Sequence, residues 1–273
     1  MSALRDKAFW RQQRLLVLAP HADDETFGCG GLIAKVKAAG GEAYVIVASV
    51  GDLHHYGGDE SGGQQQNLES RSPHRQANRM EEVSAGPIGT PTRTLVPGEV
   101  RAAELAEAMA ILQVDGYEVL FTDPYTHLRL DTLPARDLIG LIERDARYAI
   151  DKVAPTVLIL PAYSYNQDHE ALFKAGFAAC RPHLPGHRPF VPIVLSCDGP
   201  QLGWHHQPFH PNFYVDITAH LETKLRAHAC HRSQLKPPPH HACLEHVERM
   251  ARMRGAEISV EAAEAFRCYR IML

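Results

Sequence analysis

The sequence predicts an α/β fold in which a mostly parallel sheet carries helices on both faces. Three observations carry this expectation. Short runs of Val, Ile and Leu recur along the chain with helical patterns between most of them, the first run ends in a polar turn and a Gly-Cys-Gly-Gly helix start, and a long Gly- and Pro-rich stretch interrupts the rhythm. The arrangement is Rossmann-like. It reads as a single domain over residues 1–273, with an inserted loop at 54–98 and a C-terminal helical extension at 237–273.

Taken in order, strands are predicted at Leu15 to Ala19, Ala43 to Val50, Glu118 to Thr122, Thr156 to Leu160 and Val191 to Ser196, each short and rich in β-branched or aliphatic residues. The helix from Gly31 to Ala39 places Leu32, Ile33 and Val36 on one face and stops at Gly40-Gly41. Arg101 to Leu112 is rich in Ala, Glu and Leu. Leu138, Leu141, Ile142, Ala146, Ala149 and Ile150 recur at helical spacing and predict one long amphipathic helix before Pro155. The stretch from His54 to Gly98 has paired glycines, scattered prolines and few apolar residues, so it reads as either a solvated loop or a lid over a binding site. Asp198 to Pro211 is loop-rich, and Pro237-Pro238-Pro239 sets off a final helix near Leu244 to Arg254.

The composition bounds the function. A hydrophobic fraction of 45% with 22% charged residues suits a soluble globular protein. A formal charge of -4 with scattered basic residues supplies no footprint for nucleic acid or an anionic membrane. No apolar run is long enough to span a bilayer, and Met1 to Arg14 has no apolar leader segment. The six cysteines form no C-x-x-C pair and read as reduced thiols, so the expected location is the cytoplasm. Homo-oligomerisation is left open.

The chemistry concentrates in Pro20-His21-Ala22-Asp23-Asp24-Glu25, at the carboxyl end of the first strand. Open α/β sheets keep their sites at that end. An imidazole and a carboxylate at i and i+3, His21 and Asp24, can close on one divalent ion while Asp23 stays free as a base. A catalytic zinc site needs a third ligand, and Asp168-His169 follows another strand by a short loop, which makes His169 the candidate. Zinc on His21, Asp24 and His169 with Asp23 as general base points to metal-assisted amide hydrolysis. Helix capping by the acids would account for one carboxylate, but not for two beside an imidazole.

A competing reading takes Gly28-Cys29-Gly30-Gly31 as a dinucleotide-binding turn with Asp52 as the ribose acid, and so a nucleotide-binding oxidoreductase. Three carboxylates would then crowd the pyrophosphate, and their repulsion opposes it.

Four segments resemble the GlcNAc-phosphatidylinositol de-N-acetylase-like (PIG-L, LmbE-like) zinc deacetylases. Pro20 to Glu25 with Gly30-Gly31 is similar to the first motif, and Asn166-Gln167-Asp168-His169 to the third. Arg101, Glu104 and Ala108 resemble an Arg-x-x-Glu helix, with Gln113 where Gly often ends it. Tyr214-Val215-Asp216-Ile217, Lys224 and His231-Arg232-Ser233-Gln234 resemble the C-terminal signature.

The resemblance implies zinc on His21, Asp24 and His169, Asp23 as base, and Arg101 as a substrate contact. Asn166 stands where many relatives have His. It can act as an oxyanion donor or as a helix cap. His127 falls near a position that relatives use to hold substrate hydroxyls, and is assigned to substrate binding or to a satisfied loop.

The pairs His54-His55, His205-His206 and His240-His241 read as loop residues, although His54 opens toward the metal face. His231, like Asp52, reads as a supporting residue of the fold or of the ligands. The expected activity is zinc-dependent, with another divalent cation also suited to the donors. It is N-deacetylation of an amino-sugar-containing small molecule, such as an antibiotic, sugar-thiol or saccharide precursor. A zinc hydrolase of a non-sugar amide and a non-catalytic sugar-binding module are the alternatives, since the motifs describe the attacking machinery and not the pocket.

Overall fold

The computed structural model describes residues 2–56, 93–184, 186–199 and 208–272. In chain order its elements are α1 (Ser2–Arg11), β1 (Arg14–His21), α2 (Asp24–Ala39), β2 (Glu42–Ser49), β3 (Leu53–Tyr56), β4 (Arg93–Val96), α3 (Gly98–Leu112), β5 (Gly116–Phe121), α4 (Ala135–Gly140), α5 (Ile150–Val153), β6 (Val157–Leu160), α6 (Gln167–Ala179), β7 (Ile193–Cys197), β8 (Phe213–Asp216), α7 (Leu221–His228), α8 (Leu244–Ala256) and β9 (Ala263–Ile271).

β1 is the strand on which the sheet is organised. Its residues Leu15, Val17 and Ala19 enter one apolar core with Leu32, Ile33 and Leu105, while Leu16 and Leu18 enter a second with Ile142, Leu158 and Leu172. Side chains of a strand alternate between faces, so a run buried at every position requires cover on both sides. Helices α2, α3 and α7 lie on the first face, and α4 and α6 on the second.

The sheet runs β5-β2-β1-β6-β7-β9-β8. β1 pairs in parallel with β2 and with β6, with Val17 opposite Val45 on one side and Ile159 on the other. The connections therefore turn in opposite directions from β1 and β6, which leaves a crevice at the carboxyl ends of these two strands.

Two expectations are corrected. Residues 237–273 are not a helical extension throughout. After α8, Ala263–Ile271 forms β9, inserted antiparallel between β7 and β8. Its Ala-Glu-Ala opening hid a strand whose first four residues are buried on both faces. The second correction concerns 138–150. Leu138, Ile142, Ala146, Ala149 and Ile150 are buried as the spacing required, but the backbone is α4, a wider turn over Leu141–Asp145, and then α5. Glu118 of β5 accepts hydrogen bonds from the backbone N–H of Arg147 and Tyr148 at 3.0 and 2.7 Å, drawing these amides out of any helical ladder.

Residues Leu53–Val96 form a unit of their own. Within it β3 and β4 pair antiparallel, Leu53 opposite Val96 and Tyr56 opposite Arg93. Of the stretch 54–98 expected as a loop or lid, the described ends belong to β3, β4 and the start of α3, and residues 57–92 lie outside the described residues, as do His205 and His206. All six cysteines are free thiols. Among the described residues, no helix is long and apolar enough to cross a membrane.

Candidate metal centre

β1 delivers His21 to the crevice, and the turn into α2 delivers Asp23 and Asp24. The loop after β6 delivers Asp168 and His169 at the start of α6. His21 Nε2 donates a 2.8 Å hydrogen bond to Asp168 Oδ2, and Asp168, fully buried, accepts the Leu130 N–H on its other oxygen. A carboxylate on one ring nitrogen fixes the tautomer and turns the other nitrogen outward. Nδ1 of His21 accordingly faces Asp24 Oδ2 at 3.5 Å, and His169 Nε2 faces the same oxygen at 3.3 Å.

The three side chains fit a divalent cation. One donor atom from each of His21, Asp24 and His169 lies within 4.8 Å of the other two. Ligands held ~2.0–2.1 Å from a tetrahedral ion are about 3.3 Å apart. The two separations from Asp24 match that spacing better than they match the 2.8 Å hydrogen bond between His21 and Asp168.

The charges agree with this. Burial would lower the His21 pKa, but the Asp168 and Asp24 carboxylates overcome it and raise it to about 9. Burial would raise Asp24, but His169 and His21 hold it well below the ordinary carboxylate range. Asp24 is thus a charged carboxylate between two imidazoles, and the proton on His21 supplies a positive charge beside it.

Asp23 differs from its neighbour. Burial, and then the Asp24 charge, raise its pKa to about 7, in the range of an effective proton acceptor near neutral pH. Its backbone has φ 125° and ψ -29°, a conformation that costs a residue with a side chain roughly 1–3 kcal/mol.

Arg101 and His127 come together beside these residues. Arg101 Nη1 donates to the Gly51 carbonyl and to His127 Nε2, at 3.0 and 2.9 Å. A guanidinium only donates, so His127 carries its proton on Nδ1, which donates to Ser49 Oγ at 3.0 Å. Burial and then Arg101 hold the His127 pKa down to about 4, and its ring meets that of His21 edge to face with centroids 5.9 Å apart. Both His127 nitrogens are engaged within the protein, Nδ1 on Ser49 and Nε2 on Arg101. Arg101 Nε is buried with no hydrogen-bond partner among the described residues. Its neighbour in the motif, Glu104, accepts the N–H and hydroxyl of Ser233.

Asn166 is the N-cap of α6, its Oδ1 accepting the N–H of Asp168 at 2.9 Å and of His169 at 3.4 Å. The oxygen is thus engaged in capping, and only the amide nitrogen is left to donate.

The glycine-rich stretch is a packing device. α2 breaks at Cys29 (φ -150°), and a side chain at Gly31 would meet Ile217 at 2.6 Å. The N–H groups freed at the break, on Gly31 and Leu32, are taken by the buried Glu264 carboxylate. Lys224 pairs with Glu264 and donates to the carbonyl of Phe27. The amides a pyrophosphate would need are already bonded, and Asp52 accepts the Gly98 N–H at the start of α3, so the nucleotide reading loses both of its supports.

Sequence reasoning missed Asp168 as the partner of His21, Ser49 as the partner of His127, and Glu264 altogether. Asp168 had a signal, since it adjoins a ligand; Glu264 had none.

Among curated proteins, none matches the chain. Among solved structures, the conserved protein TT1542 from Thermus thermophilus is 25% identical, over 96% of this chain and 97% of that one, with a TM-score of 0.63. The N,N'-diacetylchitobiose deacetylase from Pyrococcus horikoshii is 19% identical, over 94% and 84%, with a TM-score of 0.59. GalB, the 4-carboxy-2-hydroxymuconate hydratase from Pseudomonas putida KT2440, is 18% identical, over 96% and 98%, with a TM-score of 0.62. The latter two likenesses speak for the fold alone. The model of the PIG-L family, GlcNAc-PI de-N-acetylase, matches residues 16–180, more than half of the chain, from within β1 past His169 to the end of α6. The chain belongs to the PIG-L family.

Proposed function

We propose that the protein is a metal-dependent N-deacetylase that hydrolyses the N-acetyl amide of an amino-sugar-containing small molecule. The observation that carries this reading is the convergence of His21, Asp24 and His169 at the ends of β1 and β6 with a second carboxylate, Asp23, beside them. Family membership and the deacetylase among the neighbouring structures support the reaction class.

His21, Asp24 and His169 would hold zinc, or another divalent ion with the same preferences. Such an ion supplies Lewis acidity toward the acyl carbonyl and toward water. Asp23, with its pKa near neutrality, accepts the proton of the attacking water and returns it to the departing amine. Asp168 holds the His21 ring by Nε2, which leaves Nδ1, on the side of Asp24, as the nitrogen that would hold the ion. His127, held neutral, braces Arg101 beside the site, in keeping with the substrate contact that the family resemblance implies for Arg101. Asn166 orders the turn that carries His169, and its amide nitrogen remains available to the oxyanion.

The test is release of acetate from a panel of N-acetylated amino sugars and pseudodisaccharides, before and after chelation and metal return. Metal-dependent acetate release from at least one of them is expected. Turnover only as water addition to a carbon–carbon double bond would overturn the reading, as would activity indifferent to chelation.

A further inference from the structure

Asp23 occupies a backbone region natural to glycine, and the local residues bonded to it are themselves braced from far along the chain. Its N–H donates to Glu25 Oε2 at 3.0 Å, and its carbonyl accepts the N–H of Phe27 at 2.9 Å and the hydroxyl of Thr26 at 2.8 Å. Glu25 is buried, and its other oxygen accepts His231 Nε2 at 2.8 Å. The single hydroxyl proton of Thr26 is given to Asp23, so His228 donates from Nδ1 to Thr26 Oγ at 2.9 Å. His228 ends α7 and His231 follows it within one turn. The segment is anchored where Glu104 of α3 takes both the N–H and the hydroxyl of Ser233. The hydrogen bonds of His231 and His228 go to Glu25 and Thr26, and those of Glu25 and Thr26 to the main chain of Asp23.

We infer that His231, acting through Glu25, is a positioning residue that keeps the Asp23 main chain at its positive φ and so sets the bearing of the Asp23 carboxylate. The inference rests on the reading of Asp23 as the proton acceptor. Consecutive side chains diverge by an amount set by the φ and ψ between them, and a regular helix start at Asp23 would swing its carboxylate to another bearing. Without the His231 hydrogen bond, Glu25 is a buried carboxylate short of a partner. It then turns toward other donors and releases the Asp23 N–H.

The experiment compares His231→Leu, which removes the donor at similar volume, with His231→Gln, which returns an N–H. Metal content, kcat and KM for acetate release, and the Asp23 φ in crystals of the metal-free proteins are measured. His231→Leu is expected to keep full metal, to lower kcat about 100-fold with KM within about threefold, and to return Asp23 to negative φ. His231→Gln should recover at least about tenfold of the lost kcat and the wild-type φ. In an Asp23→Ala background, His231→Leu should add no further loss.

Unchanged kcat, a rise in KM alone, loss of metal, or an Asp23 that stays at positive φ in His231→Leu would each overturn the inference. If His231→Leu does not fold, Glu25→Ala supplies the same two readouts, and an unchanged φ and kcat there overturn it. Should the wild type release no acetate from any substrate, the proposed function fails, while the φ of Asp23 in the metal-free variants still decides this inference.

Discussion

The two turns that bring the donors together differ in how they are held. The turn after β6 is locally sufficient: Asn166 is extended (φ -76°, ψ 123°) and caps α6 with its own side chain, so His169 starts an ordinary helix. The turn after β1 is not. Asp23 is at positive φ, α2 breaks at Cys29, and the freed backbone groups are bonded by Lys224 and Glu264, from 197 to 233 residues further along the chain. The difference follows from what each turn presents. His169 rides on a regular capped helix, whereas the adjacent carboxylates Asp23 and Asp24 stand on a backbone whose supports reach far along the chain. Substitutions at the first motif's distant supports should therefore be costly, and those at the third motif's cap mild.

The largest contrast is expected at the donors themselves. Asp23→Ala should lower turnover about 10²–10⁴-fold with metal retained, whereas His169→Ala should lose metal and turnover together, checked by metal analysis and acetate release. Full activity in either variant would collapse the distinction between the two turns.

Next comes the remote support of α2. Lys224→Met leaves the Glu264 carboxylate buried without its cation and the Phe27 carbonyl without a donor, and should cost about 3–5 kcal/mol in denaturant unfolding. A loss below about 1 kcal/mol would mean that the broken helix does not depend on the pair.

Across the crevice, Asp168→Asn is expected to weaken metal binding about 10–100-fold while leaving the fold intact, because it weakens the bond that turns the His21 ring. Titration calorimetry of the metal-free protein reads this directly.

A smaller effect is protonic. His21, with its pKa raised to about 9, is charged in the metal-free protein at neutral pH, so metal uptake should release about one proton. Affinity should then fall as pH drops below 9. For the metal-free fold the same raised pKa has the opposite consequence: its stabilisation is complete below pH 6.5 and lost as pH rises through 9. Uptake without proton release, measured in two buffers of different ionisation enthalpy, would remove His21 from the ligand set.

Smallest should be Asn166→Ala, at about 1 kcal/mol of stability for the lost cap. A far greater loss of turnover than of stability would show that its amide nitrogen serves the oxyanion as well.

Much of this was legible in the residues themselves. The apolar runs placed β1, β2, β6 and β7, since a strand covered on both faces must be largely apolar, and the half-buried edge strand β5 with them. The helical spacing of Leu138 to Ile150 named residues that are all buried except Leu141, which is half-buried. It did not name the backbone. Burial periodicity tolerates a local break, and the Glu118 carboxylate that caused one lies on another element. β9 was missed because Ala and Glu lead it, and only its place between β7 and β8 gives those residues a reason to be extended.

The same division holds at the site. Local order determined the donors: a histidine and two acids at fixed spacing after a strand, and an Asp-His pair after another, can be read wherever the chain folds. Tertiary structure decided what each group does. Asp168 became the orienter of His21, His127 became a neutral prop for Arg101, and the Gly-Cys-Gly-Gly stretch became a packed break whose amides are bonded by Glu264. The physical reason is range. Propensity and spacing act over a few residues, whereas tautomer, pKa and backbone strain are set by whichever charges and hydrogen-bond partners the fold brings within about 3 Å, here from as far as 233 positions along the chain.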